Sequence, residues 1–334
     1  MTRARGDDIV SQLTAIERAP KGSGTLSFPG GATLAVTNLG KLWFPGEGIS
    51  KGGVMRYYAR VAPVMLPLIA DRPLVLKRFP DGIDGPSFYQ QVAPAEAPDD
   101  VRVGLVNTSK GKERRLIGGD LPTLLYTVQL GAIDVHPWLS RVRTIQWADY
   151  SVLDLDPGPR AGFARAVRIA LRIHAALKKA GYRAAIKTSG SRGLHVFIPM
   201  PPRTPFPAAQ EFGRTIAAAI ATQHPKDATV ERMLAKRPGD AVYIDFLQNA
   251  EGKSVAGPFS LRARKGATAS APLAWSEVTE SLDPAAFTIA TVPAAAARRG
   301  RLWLSALTRR ERATTSRARP KRGATSRASS RRRP

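Results

Sequence analysis

The sequence predicts an α/β (α+β) protein, and three observations carry that prediction. Apolar runs closed by Gly, Pro or small polar residues recur as strands, as in 150–158, 184–199 and 241–249. Between them, apolar residues return at helical spacing, as at Phe163, Val167, Ala170, Ile173 and Leu177. The 334 residues are 43% hydrophobic, enough for a sizeable core and longer than one average domain.

Taken in order, residues 1–24 mix charges with Gly and Pro and read as a leader or short helix followed by a flexible link. Leu26, Phe28, Leu34 and Val36 around Pro29-Gly30-Gly31 form a hairpin. Residues 54–63 suit an amphipathic helix with Ser50 as its cap. Residues 72–82 are a strand closing on a turn, followed by Phe88-Tyr89-Gln90-Gln91. A basic loop at 110–115 precedes a helical segment, Leu121 to Leu130, and residues 131–138 form a short strand that delivers His136 to a loop. The helix that starts at Gly162 stops at Gly181, a residue type that accepts the left-handed conformation past a helix end. Two strands joined by a Gly-rich turn fill 184–199, a helix fills 206–221, and strands follow at 241–249 and 258–264. No internal repeat is visible.

Composition narrows the function. The formal net charge is +25, and about half of the excess lies from Arg298 onward. Lys and Arg that displace condensed counterions give sequence-independent affinity for nucleic acid, so a polyanion is the expected partner. With no cysteine, disulfides, thiolate nucleophiles and Cys-built zinc sites are excluded, and a cytoplasmic location fits. No apolar run reaches membrane-spanning length, and no apolar segment follows the N-terminal charges, so neither a membrane partner nor a signal peptide is expected.

The chemistry centres on Asp154-Leu155-Asp156, at the end of an apolar strand that stops on Pro157-Gly158. Residues two apart on a strand share a face, roughly 7 Å apart. Two carboxylates there repel each other and lose hydration unless cations sit between them, which points to divalent metal. Asp245, inside a third apolar strand, adds another carboxylate. The turn between Lys187 and His195 is rich in Ser and Gly, so backbone N–H groups can crowd an anion while Lys187, Arg192 and His195 supply charge or donors. It is not a Walker loop, which opens a helix. Arg262 and Arg264 share one strand face and suit phosphate. Phe88 and Tyr89, set beside basic residues, have the ingredients of a nucleic-acid stacking platform, though such a pair also suits core packing. His174 and His224 are given to structure or surface. Carboxylates that hold two metals about 4 Å apart, facing cations that hold a triphosphate, form a nucleotidyl-transfer site.

At these residues the chain resembles a known family. Asp154-Leu-Asp156-Pro-Gly, Lys187-Thr-Ser-Gly-Ser-Arg-Gly-Leu-His195 and Asp245-Phe-Leu-Gln-Asn249 look like the signature motifs of the polymerase domain of bacterial DNA ligase D, in the archaeo-eukaryotic primase superfamily. The resemblance runs from about Thr37 to Trp275 and takes in Lys51, Arg72-Pro73 to Asp81-Gly82, His136-Pro-Trp138, Ser260-x-Arg262-x-Arg264 and Pro272-Leu273. It implies a primase-like polymerase fold with mixed or antiparallel central sheets flanked by helices. It also implies that Asp154, Asp156 and Asp245 hold two Mn2+ (or Mg2+) ions, and that Ser189, His195, Arg262 and Arg264, with Lys187 close by, bind the incoming NTP or dNTP. His136 would lie by the sugar or the metals, in keeping with a preference for ribonucleotides. Asn38, Lys41 and Lys51 match a pocket for the 5′-phosphate of a DNA end or gap, and Phe88 and Tyr89 match an aromatic pair that stacks on the template.

The expected organisation is a flexible leader (1–24), a polymerase domain (25–300) and a basic disordered tail (301–334). Within the domain, 25–145 carries the phosphate pocket and 146–300 the catalytic part. The expected function is metal-dependent filling or extension of DNA ends in non-homologous end joining, at the nucleoid, with a Ku-type end-binding protein and a separate DNA ligase as candidate partners. The alternatives are a de novo primase of replication or a mobile element, and a noncatalytic DNA-end binding module. Two departures stand out: Gln91 occupies a position where the family usually has Lys, and nothing resembles a ligase or 3′-phosphoesterase module, so a standalone polymerase unit is expected. The Arg-rich tail is expected to tether the protein to DNA.

Overall fold

The computed structural model describes residues 2–108 and 111–308. Six α-helices are present among the described residues: α1 (Thr2–Arg18), α2 (Lys51–Ile69), α3 (Leu121–Gln129), α4 (Gly162–Lys179), α5 (Phe206–Gln223) and α6 (Val292–Thr308). The strands before α4 are β1 (Gly24–Ser27), β2 (Thr33–Val36), β3 (Leu42–Phe44), β4 (Ile49–Ser50), β5 (Leu74–Arg78), β6 (Phe88–Gln90), β7 (Val103–Thr108), β8 (Gly111–Leu116), β9 (Ala132–Pro137) and β10 (Tyr150–Pro157). After it come β11 (Ala185–Thr188), β12 (Leu194–Pro199), β13 (Ala228–Thr229), β14 (Val242–Asp245) and β15 (Pro272–Leu273). No described helix is long and apolar enough to cross a membrane.

The central sheet has the order β13-β14-β10-β12-β11-β15 and is antiparallel except for β13–β14. Its strands alternate in chemistry as well as direction. Leu153, Leu155, Ile186, Leu194, Val196, Ile198, Val242 and Ile244 all enter one core with α4 and α5. The residues between them face the other way. Near the start of β10 and the end of β12, Val152 and Phe197 join a larger core with α2, α3 and α6. Further along, that same face turns polar. A second sheet, β6-β5-β9, borders it, and β9 carries Asp134 and His136.

Several expectations change here. Residues 2–18 form a docked helix rather than a flexible leader: Ile9 and Leu13 are fully buried, and α1 packs on α2. Glu17 ties the end of α1 to Ser50 and Arg56 at the start of α2. α2 runs on past Pro63 to Ile69, with Ser50 accepting from Gly53 N as its cap. The basic loop expected at 110–115 is largely β8, paired with β7. His136 lies within β9, opposite Val75, and not in a loop. The strand at 241–249 ends at Asp245, because Leu247 N turns back onto the Asp245 carboxylate. Residues 258–264 form a loop with one bridge, Leu261 to Ala269, because Phe259 sits at positive φ and breaks the extended chain. At the C-terminus, α6 continues to Thr308, beyond the start expected for a basic tail; the Arg-rich stretch after it lies outside the described residues.

Candidate active site

Cross-strand register builds the site. Lys187 lies opposite His195, His195 opposite Asp154, and Asp154 opposite Asp245, so one polar line crosses β11, β12, β10 and β14. One step along, Asp156 faces Tyr243. Neighbouring strands sit about 4.8 Å apart, so the row brings a lysine, a histidine and two carboxylates into sequential reach.

Two devices hold the row. Asn249, fully buried beyond the end of β14, accepts from Val152 N (2.6 Å) and donates to Val152 O (2.8 Å). Its amide replaces the strand that β10 lacks there, two residues before Asp154. The turn between β11 and β12 is held by close approach: a Cβ on Gly193 would lie 2.1 Å from Leu155 O, and one on Gly190, at φ +66°, 2.6 Å from Arg262 Cγ. Only glycine fits at these two points.

The carboxylates are electrostatically strained. Burial, then the Asp245 charge, pushes Asp154 up to about 7. Asp156 shows its tip to the cleft, yet desolvation by its surroundings, then the Asp154 and Asp245 charges, pushes it up to about 7 as well. Asp154 Oδ1 lies 3.2 Å from His195 Nε2 but out of hydrogen-bond alignment, which leaves it a buried oxygen without a hydrogen-bond partner. Asp245 accepts from Leu247 N (2.8 Å) and Gln248 Nε2 (3.0 Å). Among the described residues no three His, Asp or Glu side chains already converge as a metal cage. The donor set nevertheless fits a hard divalent cation: carboxylate oxygens that repel one another, one of them without a hydrogen-bond partner, gain most from a positive charge between them.

The cationic side is arranged around the turn. Ser189 Oγ accepts from Ser191 N and Gly193 N, both at 3.1 Å, so the turn satisfies two of its own N–H groups. Arg262 is committed on both sides, donating to Asp134 Oδ2 (2.7 Å) and Ser189 O (2.7 Å), while Arg264 reaches Ser191 Oγ. Although they leave a loop, both arginines converge on the turn. Lys187 is fully buried behind His195, so it does not reach the cleft itself. Arg192, Arg237, Arg264, Asp156 and Tyr243 line a cleft of about 730 Å³.

His136 Nε2 is buried without a hydrogen-bond partner, 3.7 Å from Asp134 Oδ2. Burial holds the imidazole below its ordinary range against the pull of Asp134. Burial would raise Asp134, but the neighbouring His136 ring and the Arg262 charge outweigh it and hold the carboxyl low. The Tyr89 ring stands edge-on to His136, 6.3 Å between centroids. Phe88 and Tyr89 are 48% and 61% exposed, with Arg78 and Lys77 against their rings, so neither is core.

Asn38, Lys41 and Lys51 meet at the start of α2: Lys51 N donates to Lys41 O (2.8 Å) and Lys41 N to Asn38 O (3.0 Å). Lys51 Nζ is sheltered and donates to Thr37 O (2.9 Å) and Gln129 O (3.1 Å), whereas Lys41 pairs with Asp81 at 2.6 Å. Gln91 accepts from Arg115 at 2.9 Å.

Two residues given no role on sequence grounds belong to this site. Asp134 holds Arg262, and its signal was an acid inside the apolar run 132–135, the same sign that marks Asp245. Arg237 is the other, a cation whose charge acts on Asp156 together with that of Arg192. Arg237 stacks 3.5 Å over Tyr243, a placement no sequence pattern announces.

Comparison with known proteins gives one answer. The family model of the LigD primase-polymerase domain matches residues 50–303. The bifunctional non-homologous end joining protein LigD of Bacillus subtilis is 32% identical over 260 residues, 78% of this chain and 42% of that protein. The multifunctional LigD of Mycolicibacterium smegmatis is 30% identical over 249 residues, 74% of this chain and 32% of that protein. The chain thus spans well under half the length of these curated relatives. The polymerase domain from Mycobacterium tuberculosis Ligase D, solved in complex with DNA, superposes with a TM-score of 0.75 at 28% identity, covering 82% of this chain and 98% of that one.

Proposed function

The chain belongs to the LigD primase-polymerase domain family, and from that premise we propose that it is a DNA-dependent nucleotidyltransferase that extends or gap-fills DNA ends, taking NTPs in preference to dNTPs, in non-homologous end joining. The observation that carries the reading is the polar row. Asp154 and Asp245 stand opposite each other in register, Asp156 lies on the same face, and the basic, Gly-rich turn of β11–β12 adjoins them.

Asp154, Asp156 and Asp245 would hold Mn2+ or Mg2+, which supplies charge stabilisation at the reacting phosphate. The chain's own groups do the rest. Ser189, His195, Arg192 and Arg264 meet the triphosphate oxygens, and Arg262, fixed by Asp134, braces the turn that carries them. The 3′-oxygen of the DNA end bonds to the α-phosphorus, the bond to the bridging oxygen breaks, pyrophosphate leaves, and the hydroxyl proton is lost to water. His136 lies by the nucleotide sugar. Phe88 and Tyr89 stack on the template base, and Asn38, Lys41 and Lys51 take a 5′-phosphate across the gap.

The test is primer extension by the purified protein on a gapped duplex bearing a 5′-phosphate, with Mn2+ and either NTPs or dNTPs, and Asp154→Ala as control. Extension that the variant loses supports the reading. Products on unprimed single strands would make the protein a primase, and binding without products would make it an end-binding module.

A further inference from the structure

Lys187 belongs to the polar row but never reaches the cleft. It is fully buried, and its Nζ lies 2.6 Å from His195 Nδ1 and 2.6 Å from Ser270 Oγ. Ser270 Oγ gives its one hydrogen to Thr188 O at 2.7 Å, so only its lone pairs face the lysine. Between Nζ and Nδ1 one atom donates and the other accepts, and the far side of the ring shows which. There His195 Nε2 faces Asp154 Oδ1 at 3.2 Å, and the oxygen of an ionised carboxylate can only accept. A bare Nε2 would set two lone pairs against each other. The hydrogen therefore belongs on Nε2, Nδ1 is the acceptor, and Lys187 is the donor.

We propose that Lys187 is a positioning residue that holds His195 as the neutral Nε2–H tautomer, so that the imidazole offers the cleft a hydrogen-bond donor and never a lone pair. The inference rests on the proposed function only in treating Asp154 as a working carboxylate. Its chemical consequence is selective. A donor at this place recognises phosphate oxygens of a nucleoside triphosphate. The same ring is closed to metals through Nε2, which leaves an all-oxygen donor set and excludes nitrogen-seeking cations. The hairpin supports the arrangement mechanically, since Lys187 and His195 are direct cross-strand partners.

The experiment is 15N NMR of the imidazole nitrogens in the full chain labelled at histidine, metal-free and at pH 8.5 so that Asp154, pushed up to about 7, is ionised, with the His195 signals identified by their loss in His195→Gln. The wild type is expected to show a protonated Nε2 and a bare Nδ1. Lys187→Met is expected to give a mixture of tautomers and to raise the KM for NTP about 5- to 10-fold, the worth of one hydrogen bond, with kcat changed far less. Lys187→Gln keeps a donor without the charge and is expected to restore both tautomer and KM. A wild-type ring protonated at Nδ1, an unmixed Nε2–H ring in Lys187→Met, or equal mixing in the Met and Gln variants would each overturn the proposal. The wild-type spectrum needs no turnover, so the tautomer it reports is independent of whether primer extension succeeds.

Discussion

The two faces of the central sheet are made by the same strands and obey opposite rules. On the α4–α5 face, Leu155, Ile244, Leu194 and Ile186 pack into one apolar core, and the face is held by area removed from water. On the other face, their sequence neighbours Asp154, Asp245, His195 and Lys187 share a space in which like charges repel and polar atoms go unpartnered. The first face supplies the stability that the second spends, a division in which strain concentrates where chemistry is done.

Substitutions can break that contrast from either side. The largest effect is expected from Asp154→Ala, which should lower primer extension by a factor on the order of 10³ or more while far-ultraviolet circular dichroism and melting stay close to wild type. A joint loss of fold would mean that the polar face also stabilises the chain. On the opposite face, Leu155→Ala should cost about 2–4 kcal/mol in denaturant unfolding, with activity per folded molecule retained. A specific loss of turnover there would show that the faces are coupled. Away from the sheet, burial, then the neighbouring Lys41, lowers the Lys51 ammonium to about 8, so the side chain is charged below that pH and neutral above it. The preference for 5′-phosphorylated over 5′-hydroxyl gaps should therefore weaken as pH rises from 7 to 9 in fluorescence anisotropy titrations, by several-fold, and be flat in Lys51→Ala. The smallest effect sharpens the contrast most. Asp156→Asn should raise the metal-free melting temperature by about 1–3 °C, because it removes one repelling charge, while abolishing extension.

Much of this is legible in the sequence because a strand with one buried face must alternate. Asp154, Asp156, His195 and Asp245 can be assigned to the face opposite the leucines and isoleucines from sequence alone, and the structure puts them there. The family resemblance and the fold class are also readable, from the order and spacing of the motifs. What stays hidden is what register decides. Nothing local says that Lys187 is sealed behind His195, that Asp134 reaches Arg262 from another sheet, or that Asn249 completes the edge of β10. The docking of α1 does leave a trace, in Ile9, Leu13 and Ile16 at helical spacing, but it is masked by the charges around it. The strand expected at 258–264 fails because positive φ at Phe259 is a backbone event with no signature in side-chain alternation.

The polar row also sets a timetable. Lys187 and His195 come together through a short hairpin, but Asp154 and Asp245 are separated in the chain by α4, β11, β12, α5 and β13. Contacts that close such long loops form late and slowly, after their loop entropy has been met. A nascent chain therefore carries the histidine–lysine pair well before it owns the carboxylate pair. Until β14 docks on β10 the carboxylate pair does not exist, so a half-made chain on the ribosome lacks the site proposed for nucleotidyl transfer.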